Sequence, residues 1–182
     1  DFDADLDFPR GTLRLWRPGE GVADARVAGL QEVAGVALPE VGILGVRIMA
    51  PGGGAAAAAL GIVDTGATFS AVNAAAAPAL GVRASAGAPE VAAVGVDGRP
   101  LRLPLARGVS LSLGGSPLAS GGWATAATLG ADSIAVGDLP ALEVLAGGAG
   151  RPAVLLGLDV LAQQRLVFAA AGAGPVRRLF VR

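Results

Sequence analysis

Glycine and proline interrupt this sequence at short intervals, and this spacing constrains the fold more than any other feature. The 182-residue chain contains 29 glycines and 12 prolines. Helix interiors tolerate both residues poorly. The apolar stretches between the breaks are mostly short, and several are rich in β-branched residues or alternate in polarity, as strands do. The sequence therefore predicts an all-β fold of short strands joined by frequent turns, with one short helix late in the chain.

The expected strands can be placed along the chain. Residues 40–49 (EVGILGVRIM) and 58–63 form two candidate strands separated by a proline and three glycines. Residues 91–105 place an Asp97-Gly98 turn between two apolar arms, which predicts a β-hairpin. The helix is expected within residues 158–163, and further strands are expected at residues 13–16, 109–113, 123–129, 142–145, 153–157, 166–169 and 176–181.

Composition favours one folded domain and narrows the chemistry available to it. Hydrophobic residues make up 53% of the chain and charged residues 16%, so a buried core is expected rather than disorder. The net charge of -1 gives no electrostatic basis for binding nucleic acid, and no apolar run is long enough to span a membrane. Histidine and cysteine are absent, which excludes Ser-His-Asp and Cys-His sites, zinc fingers and disulfides. No metal or cofactor is predicted.

The beginning of the chain differs from the rest. Its first eight residues, DFDADLDF, carry four aspartates and predict a solvated acidic arm in preference to a specific binding tail. We therefore divide the chain into an N-terminal extension with an acidic arm, residues 1–40, and a main domain, residues 41–182. The start without methionine or a signal-like segment favours a soluble, processed product that has lost a targeting peptide, as in an organelle. The sequence does not identify the compartment.

Two motifs carry the chemistry. DTGA, residues 64–67, follows the apolar pair Ile62-Val63, and LLGLDVL, residues 155–161, comes much later. With the Asp97-Gly98 hairpin between them, they resemble the retropepsin-like (retroviral-type) aspartic protease family. DTGA resembles that family's active-site loop, the hairpin its flap, and LLG with the following helix the element that closes the fold. The resemblance covers about two-thirds of the chain and implies a single-lobe closed β-barrel, the acid protease fold, with one short C-terminal helix.

The resemblance also implies the activity and the role of each loop residue. The chain would be a hydrolase, an aspartic endopeptidase that cuts extended and largely apolar peptides. Asp64 would be the catalytic carboxylate, and Thr65 would donate a hydrogen bond across a two-fold axis. Gly66 would permit the tight backbone and bring its N–H to a carboxylate, and Ala67 would lie beneath the substrate. The flap is implied at Gly95, Val96, Asp97 and Gly98, and the structural motif at Leu155, Leu156, Gly157 and Asp159.

The number of DTG motifs decides the expected assembly. Two carboxylates held close together cannot both ionise, so they share one proton and provide both a general base and a general acid. Aspartic proteases are the standard illustration of this coupling. The chain contains one such motif. The second carboxylate must then come from Asp64 of another copy, which predicts a homodimer with two-fold symmetry.

Alternatives remain for both acidic residues. Asp159 could be taken as the partner of Asp64, but its position near a helix start favours a structural role, because a carboxylate there accepts backbone N–H groups. Asp64 could belong to an ordinary turn at the end of a strand. The alternative to an enzyme is a non-catalytic protease-like domain, serving as a scaffold or binding subunit of a larger protein assembly.

Overall fold

The computed structural model describes residues 2–38, 43–52, 58–94, 98–170 and 177–182. Strands dominate these residues, and helices are few and short. In chain order the strands are β1 (Asp3–Asp7), β2 (Thr12–Trp16), β3 (Gln31–Val33), β4 (Gly35–Leu38), β5 (Ile43–Met49), β6 (Ala58–Val63), β7 (Ala71–Val72), β8 (Glu90–Val94), β9 (Pro100–Pro117), β10 (Trp123–Val136), β11 (Ala153–Leu156), β12 (Arg165–Ala170) and β13 (Arg177–Val181). The helices are α1 (Asp24–Val27), α2 (Ala76–Ala79), α3 (Pro140–Leu145) and α4 (Leu158–Leu161), and a 3₁₀ turn covers Phe8–Arg10. The predicted all-β class is confirmed.

Six strands close into a barrel. Their order is β5-β6-β11-β7-β10-β9, and β9 returns to β5 through the pairs Ile48–Leu113 and Met49–Ser112. β4 pairs with β5 and β8 pairs with β9, so these two strands extend the sheet beyond the closed part. The side chains inside the barrel form the main core, which includes Val46, Ile48, Leu111, Leu113, Leu129, Ile134, Val154 and Leu156. Burying each such leucine or isoleucine contributes roughly 1.5–3 kcal/mol.

A second, five-stranded antiparallel sheet packs against the barrel. Its order is β2-β1-β12-β13-β3. One face contributes Val33, Leu166, Leu179 and Val181 to the barrel's core cluster. The sheet therefore combines strands from the segment before residue 40 with strands from the end of the chain.

The acidic start of the chain is not a solvated arm, and that prediction is wrong. Residues 3–7 form β1, which lies between β2 and β12. Asp3, Asp5 and Asp7 are only 0%, 2% and 3% exposed. Arg165 donates two hydrogen bonds of 2.9 Å to the carboxylate of Asp5. The charge of Asp5 is therefore neutralised by a residue from β12, which is distant in sequence.

The helices also differ from the prediction of one late helix. The expected strand at residues 142–145 is part of α3, and α1 is an additional helical turn. α2 lies in the AAAAPALG segment, residues 74–81, where the sequence predicts at most a short helical turn. Pro140 occupies the first turn of α3, where a missing N–H is tolerated. Leu142 and Leu145 are three residues apart, so both reach the outer surface of the barrel and join the cluster around Ile62 and Ala153. The helix expected within residues 158–163 is present as α4. Among the residues that the structure describes, none belongs to a helix long and apolar enough for a membrane crossing.

Candidate active site

The DTGA loop is positioned by an unusual crossing of strands. β6 and β7 are consecutive in the chain, yet β11 lies between them, parallel to β6 and antiparallel to β7. The loop that joins β6 to β7 must therefore pass over the carboxyl end of β11. Parallel strands end at the same edge of a sheet, so Asp64, after β6, lies beside Gly157, after β11. The two motifs recognised in the sequence meet at this edge.

Backbone hydrogen bonds fasten the two motifs to each other. The N–H of Asp64 donates to the carbonyl of Leu156 at 3.0 Å, and the N–H of Leu158 donates to the carbonyl of Ala67 at 2.8 Å. Gly157 packs so closely that an added Cβ would lie 2.5 Å from the carbonyl oxygen of Phe69. The backbone angles at Gly157 suit any residue, so glycine is needed here because of the lack of space and not because of the backbone conformation. This contact fixes the height of the loop above β11.

The Asp64 carboxylate is held from one side and open on the other. Its Oδ1 accepts a hydrogen bond of 2.8 Å from the N–H of Gly66, and the N–H of Ala67 donates to the Asp64 carbonyl at 3.2 Å. Asp64 and Ala67 are half-buried, whereas Thr65 and Gly66 are exposed. Within the described part of the chain, no arginine forms an ion pair with Asp64. The carboxylate is therefore oriented by the loop but not neutralised by it.

Asp159 has a different environment. Its Oδ2 accepts the N–H of Ser70 at 2.9 Å, and its Oδ1 accepts the Ser70 hydroxyl at 2.6 Å and the N–H of Val160 at 2.9 Å. Ser70 is fully buried, and its Oγ accepts the N–H of Gly157 at 2.9 Å. The carboxylate of Asp159 thus joins the start of α4 to the end of the DTGA loop, as a structural residue does.

Ser70 is the member of this network that sequence reasoning missed. A hydroxyl residue that immediately precedes the buried strand β7 was the available signal. Its partner Asp159 lies 89 positions away, so the hydrogen bond is visible only in the fold.

A cleft of about 530 Å³ opens beside Asp64. The DTGA loop and Phe69 contribute one part of its lining, Ala92, Ala93 and Val94 of β8 another, and α3 with Leu139 and Leu155 the rest. Asp64 is the one acidic residue among the described residues that line it. The cleft therefore presents a single carboxylate against apolar walls. Its volume is within the range of pockets that hold small ligands or peptide side chains.

The predicted flap hairpin is formed by β8 and β9, which pair from Glu90–Pro104 to Val94–Pro100. Gly95, Val96 and Asp97 lie outside the described residues. Gly98 has φ +74, a conformation that favours glycine. Val94 at the described end of β8 lines the cleft together with Asp64 and is 73% exposed.

The remaining motif residues are divided between the core and the cleft. Leu156 is fully buried in the barrel, and Leu155 faces the cleft. Asp138, another acidic residue near α3, accepts the N–H of Ala74 at 2.9 Å. Among the described residues, no group of three or more acidic, histidine or cysteine side chains is arranged to hold a metal ion.

Comparisons with known proteins found no similar protein. The chain matches no family model, no curated protein and no solved structure.

Proposed function

We propose that this protein is an aspartic endopeptidase whose catalytic pair consists of Asp64 from each of two copies of the chain. The observation that supports this most directly is the position of Asp64: an oriented, half-exposed carboxylate at the edge of an apolar cleft, next to a β-hairpin. The DTGA loop and the LLGLD segment support each other through backbone bonds, as two parts of one site would.

The chemistry requires two carboxylates in contact. One ionised carboxylate takes a proton from water, and the water oxygen forms a bond to the peptide carbonyl carbon. The other, protonated carboxylate gives its proton to the carbonyl oxygen, and the tetrahedral intermediate collapses with proton transfer to the leaving amine. A pair sharing one proton supplies both groups, since like charges a few ångströms apart cannot both ionise.

One chain provides only half of this pair. Asp64 is the single carboxylate in the described lining of the cleft, and Asp159 is occupied by Ser70 and Val160. Thr65 and Gly66 are exposed at the top of the loop. A second loop related by two-fold symmetry can therefore approach them and complete the pair.

The test is the substitution Asp64→Asn. Asparagine keeps the shape and can still accept the Gly66 hydrogen bond, but it cannot act as the general base. We expect wild-type folding with loss of cleavage of an apolar peptide library, and inhibition of the parent by a statine-type transition-state analogue. The control is Asp132→Asn, an exposed carboxylate outside the cleft, which should cleave like the parent. Full proteolysis by the Asp64→Asn variant would rule out the mechanism.

Mixing the two proteins tests the shared site. If each site needs Asp64 from both chains, an equal amount of the Asp64→Asn chain removes about half of the wild-type dimers by random pairing. Activity should then fall to about half after the chains exchange. An activity that does not change on mixing would show that one chain contains the whole site.

The same single carboxylate favours a second candidate function, a peptide-binding module without catalysis. The apolar cleft and the adjacent hairpin could hold an extended segment in either case. A monomer at high micromolar concentration that binds peptide, does not cleave it, and binds equally well as Asp64→Asn would favour this second function. Analytical sedimentation with a peptide-binding assay distinguishes the two.

A further inference from the structure

A second cleft, of about 320 Å³, lies elsewhere on the barrel. Residues from β4, β5 and β6 line it, together with Ala146 after α3 and the Arg151-Pro152 segment before β11. It shares no lining residue with the cleft at Asp64. Its function therefore has to be argued independently of the proposed protease site.

Two arginines line this cleft and have no carboxylate partner among the described residues. Arg47 and Arg151 both line it, and the other described lining residues are apolar, including Val36, Leu38 and Leu60. Neither arginine takes part in an ion pair among the described residues. Arg47 is half-buried and Arg151 is exposed, and the repulsion between two like charges on one cleft raises the electrostatic free energy of the empty site. A bound anion would lower it.

Arg47 is held in place by packing. Its guanidinium carbon lies 4.3 Å from the centre of the Trp123 ring, and its stem crosses Gly114, where an added Cβ would be 3.1 Å from three of its carbons. The Nε atom is buried and has no hydrogen-bond partner. Because the charge is delocalised over the three nitrogens, an anion at the terminal nitrogens would offset the desolvation of Nε. The stacked guanidinium would lose little conformational entropy on binding.

Arg151 is anchored at its backbone and has donors to spare. Its carbonyl accepts a hydrogen bond of 2.7 Å from the Nδ2 of the buried residue Asn73. The only side-chain hydrogen bond of Arg151 among the described residues is a long one, 3.4 Å from Nη1 to the carbonyl of Ala146. Most of its N–H groups are therefore available to a ligand.

We propose that this cleft binds a small organic carboxylate with an apolar body, such as a short aliphatic acid. The carboxylate would accept hydrogen bonds from Arg47 and Arg151, and the hydrocarbon would cover the surface around Val36, Leu38 and Leu60. Guanidinium groups match the two oxygens of a carboxylate in plane. The apolar lining favours an anion that carries hydrocarbon over a bare inorganic anion. The volume lies at the small end of ligand pockets.

The experiment is a titration of the ¹⁵N-labelled full chain with hexanoate, followed by NMR. Saturable shifts of the Arg47 and Arg151 amide signals are expected, with a millimolar or lower Kd. Inorganic phosphate tests the need for hydrocarbon, and hexan-1-ol tests the need for charge. Both should bind at least about tenfold more weakly, since each lacks one of the two contributions.

Three variants locate the binding. Arg151→Gln should weaken hexanoate about tenfold, because a charge-assisted hydrogen bond is lost. Arg47→Gln should do the same, but it also removes the Trp123 stack, so the exposed Arg151 is the safer test if the Arg47 variant folds poorly. Arg83→Gln, at a different cleft, is the matched control and should bind normally. Asp64→Asn should also bind normally, which separates this proposal from the protease.

Three results would overturn the proposal. They are the absence of saturable hexanoate binding to the wild-type chain, an unchanged Kd in the folded Arg151→Gln variant, and phosphate binding as tight as hexanoate binding.

Discussion

Two regions of this molecule place aspartates in or next to strands, and they differ in how far the carboxylates are buried and what they bond to. In β1, Asp3, Asp5 and Asp7 are almost completely buried, and each has a hydrogen-bond donor: Gly21 for Asp3, Arg165 for Asp5 and Arg10 for Asp7. After β6, Asp64 is half-exposed and accepts one hydrogen bond, from the adjacent Gly66. The first region uses carboxylates to hold strands together, and the second leaves a carboxylate partly open to solvent.

The difference follows from the free energy of desolvation. A carboxylate buried without a partner costs several kcal/mol, so full burial in β1 is possible only with opposite charges and N–H groups in contact. Such a group has little capacity left for chemistry. Asp64 is half-buried and keeps part of its hydration, and no described arginine forms an ion pair with it. Substitutions of the β1 aspartates should therefore lower stability strongly, whereas substitution of Asp64 should change stability little and affect function instead.

The largest effect on stability is expected for Asp5→Ala. The side chains of Asp5 and Arg165 are 3% and 14% exposed, and they form two hydrogen bonds of 2.9 Å. Removing the carboxylate leaves the largely buried guanidinium of Arg165 bonded to the carbonyl of Arg26 but without the carboxylate of Asp5, so the free energy of unfolding in urea should fall by about 3–5 kcal/mol. By contrast, Asp64→Asn should change it by no more than about 0.5 kcal/mol.

A double variant checks the cause. Adding Arg165→Met to Asp5→Ala removes the unpaired charge and should restore part of the lost stability. If Asp5→Ala were as stable as the parent, or if the two substitutions were simply additive, β1 would not depend on the charge pair, and the contrast with Asp64 would fail.

A smaller effect is expected for Gly157→Ala, which tests how the DTGA loop, residues 64–67, is supported. The added Cβ would lie 2.5 Å from the carbonyl oxygen of Phe69 and 3.0 Å from that of Ala67, so the loop must move. We expect a loss of about 1–3 kcal/mol in the free energy of unfolding, together with reduced activity. Gly130→Ala in β10 is the matched control, because an added Cβ there meets no atom within 4 Å. Equal effects of the two substitutions would show that Gly157 does not set the loop position.

Local sequence signals were sufficient for the strands around Asp64. β6 and the LLG strand follow from short apolar runs that end at a polar residue or glycine, and the helix after Gly157 lies where it was expected. The pairing of β8 with β9 was predicted from the Asp97-Gly98 pair in the sequence and the flanking alternation. In these segments the local preference and the tertiary environment agree, so the sequence alone is informative.

The prediction failed where distant residues decide the structure. Alternating aspartates in β1 suggest exposure, because burial requires Arg165, 160 positions away. The Leu-Glu-Val-Leu stretch, residues 142–145, is too short for its hydrophobic pattern to distinguish a strand from a helix. Pro140, which favours the first turn of a helix, was the signal that the prediction of a strand did not use. The bond between Ser70 and Asp159 likewise depends on the meeting of β7 with α4.

The smallest expected effect concerns an exposed ion pair in the same sheet as Asp5. Glu32 in β3 accepts two hydrogen bonds of 2.7 Å from Arg178 in β13, but the two side chains are 46% and 41% exposed. The hydrogen bond from Arg178 lowers the pKa of Glu32 below its ordinary value of 4.5, and this outweighs the opposing effect of burial. Solvent screening limits such a pair to about 0.2–1 kcal/mol, far below the pair of Asp5 and Arg165.

The sign of its pH dependence can be stated in advance. Because the pKa of Glu32 is lower in the folded state, the stabilisation is complete above pH 4.5 and disappears as the pH falls through the folded-state pKa. The hydrogen bond to Glu32 raises the pKa of Arg178, so the contribution of Arg178 disappears only in strongly alkaline solution, outside this range. The difference in unfolding free energy between the parent and Glu32→Gln should therefore be measurable at pH 7 and shrink progressively as the pH falls below 4.5. If the stability difference between the parent and Glu32→Gln grew in acid, the pKa of Glu32 would be raised in the folded state rather than lowered. If the difference at pH 7 were as large as that of Asp5→Ala, burial would not explain why the two charge pairs differ in strength.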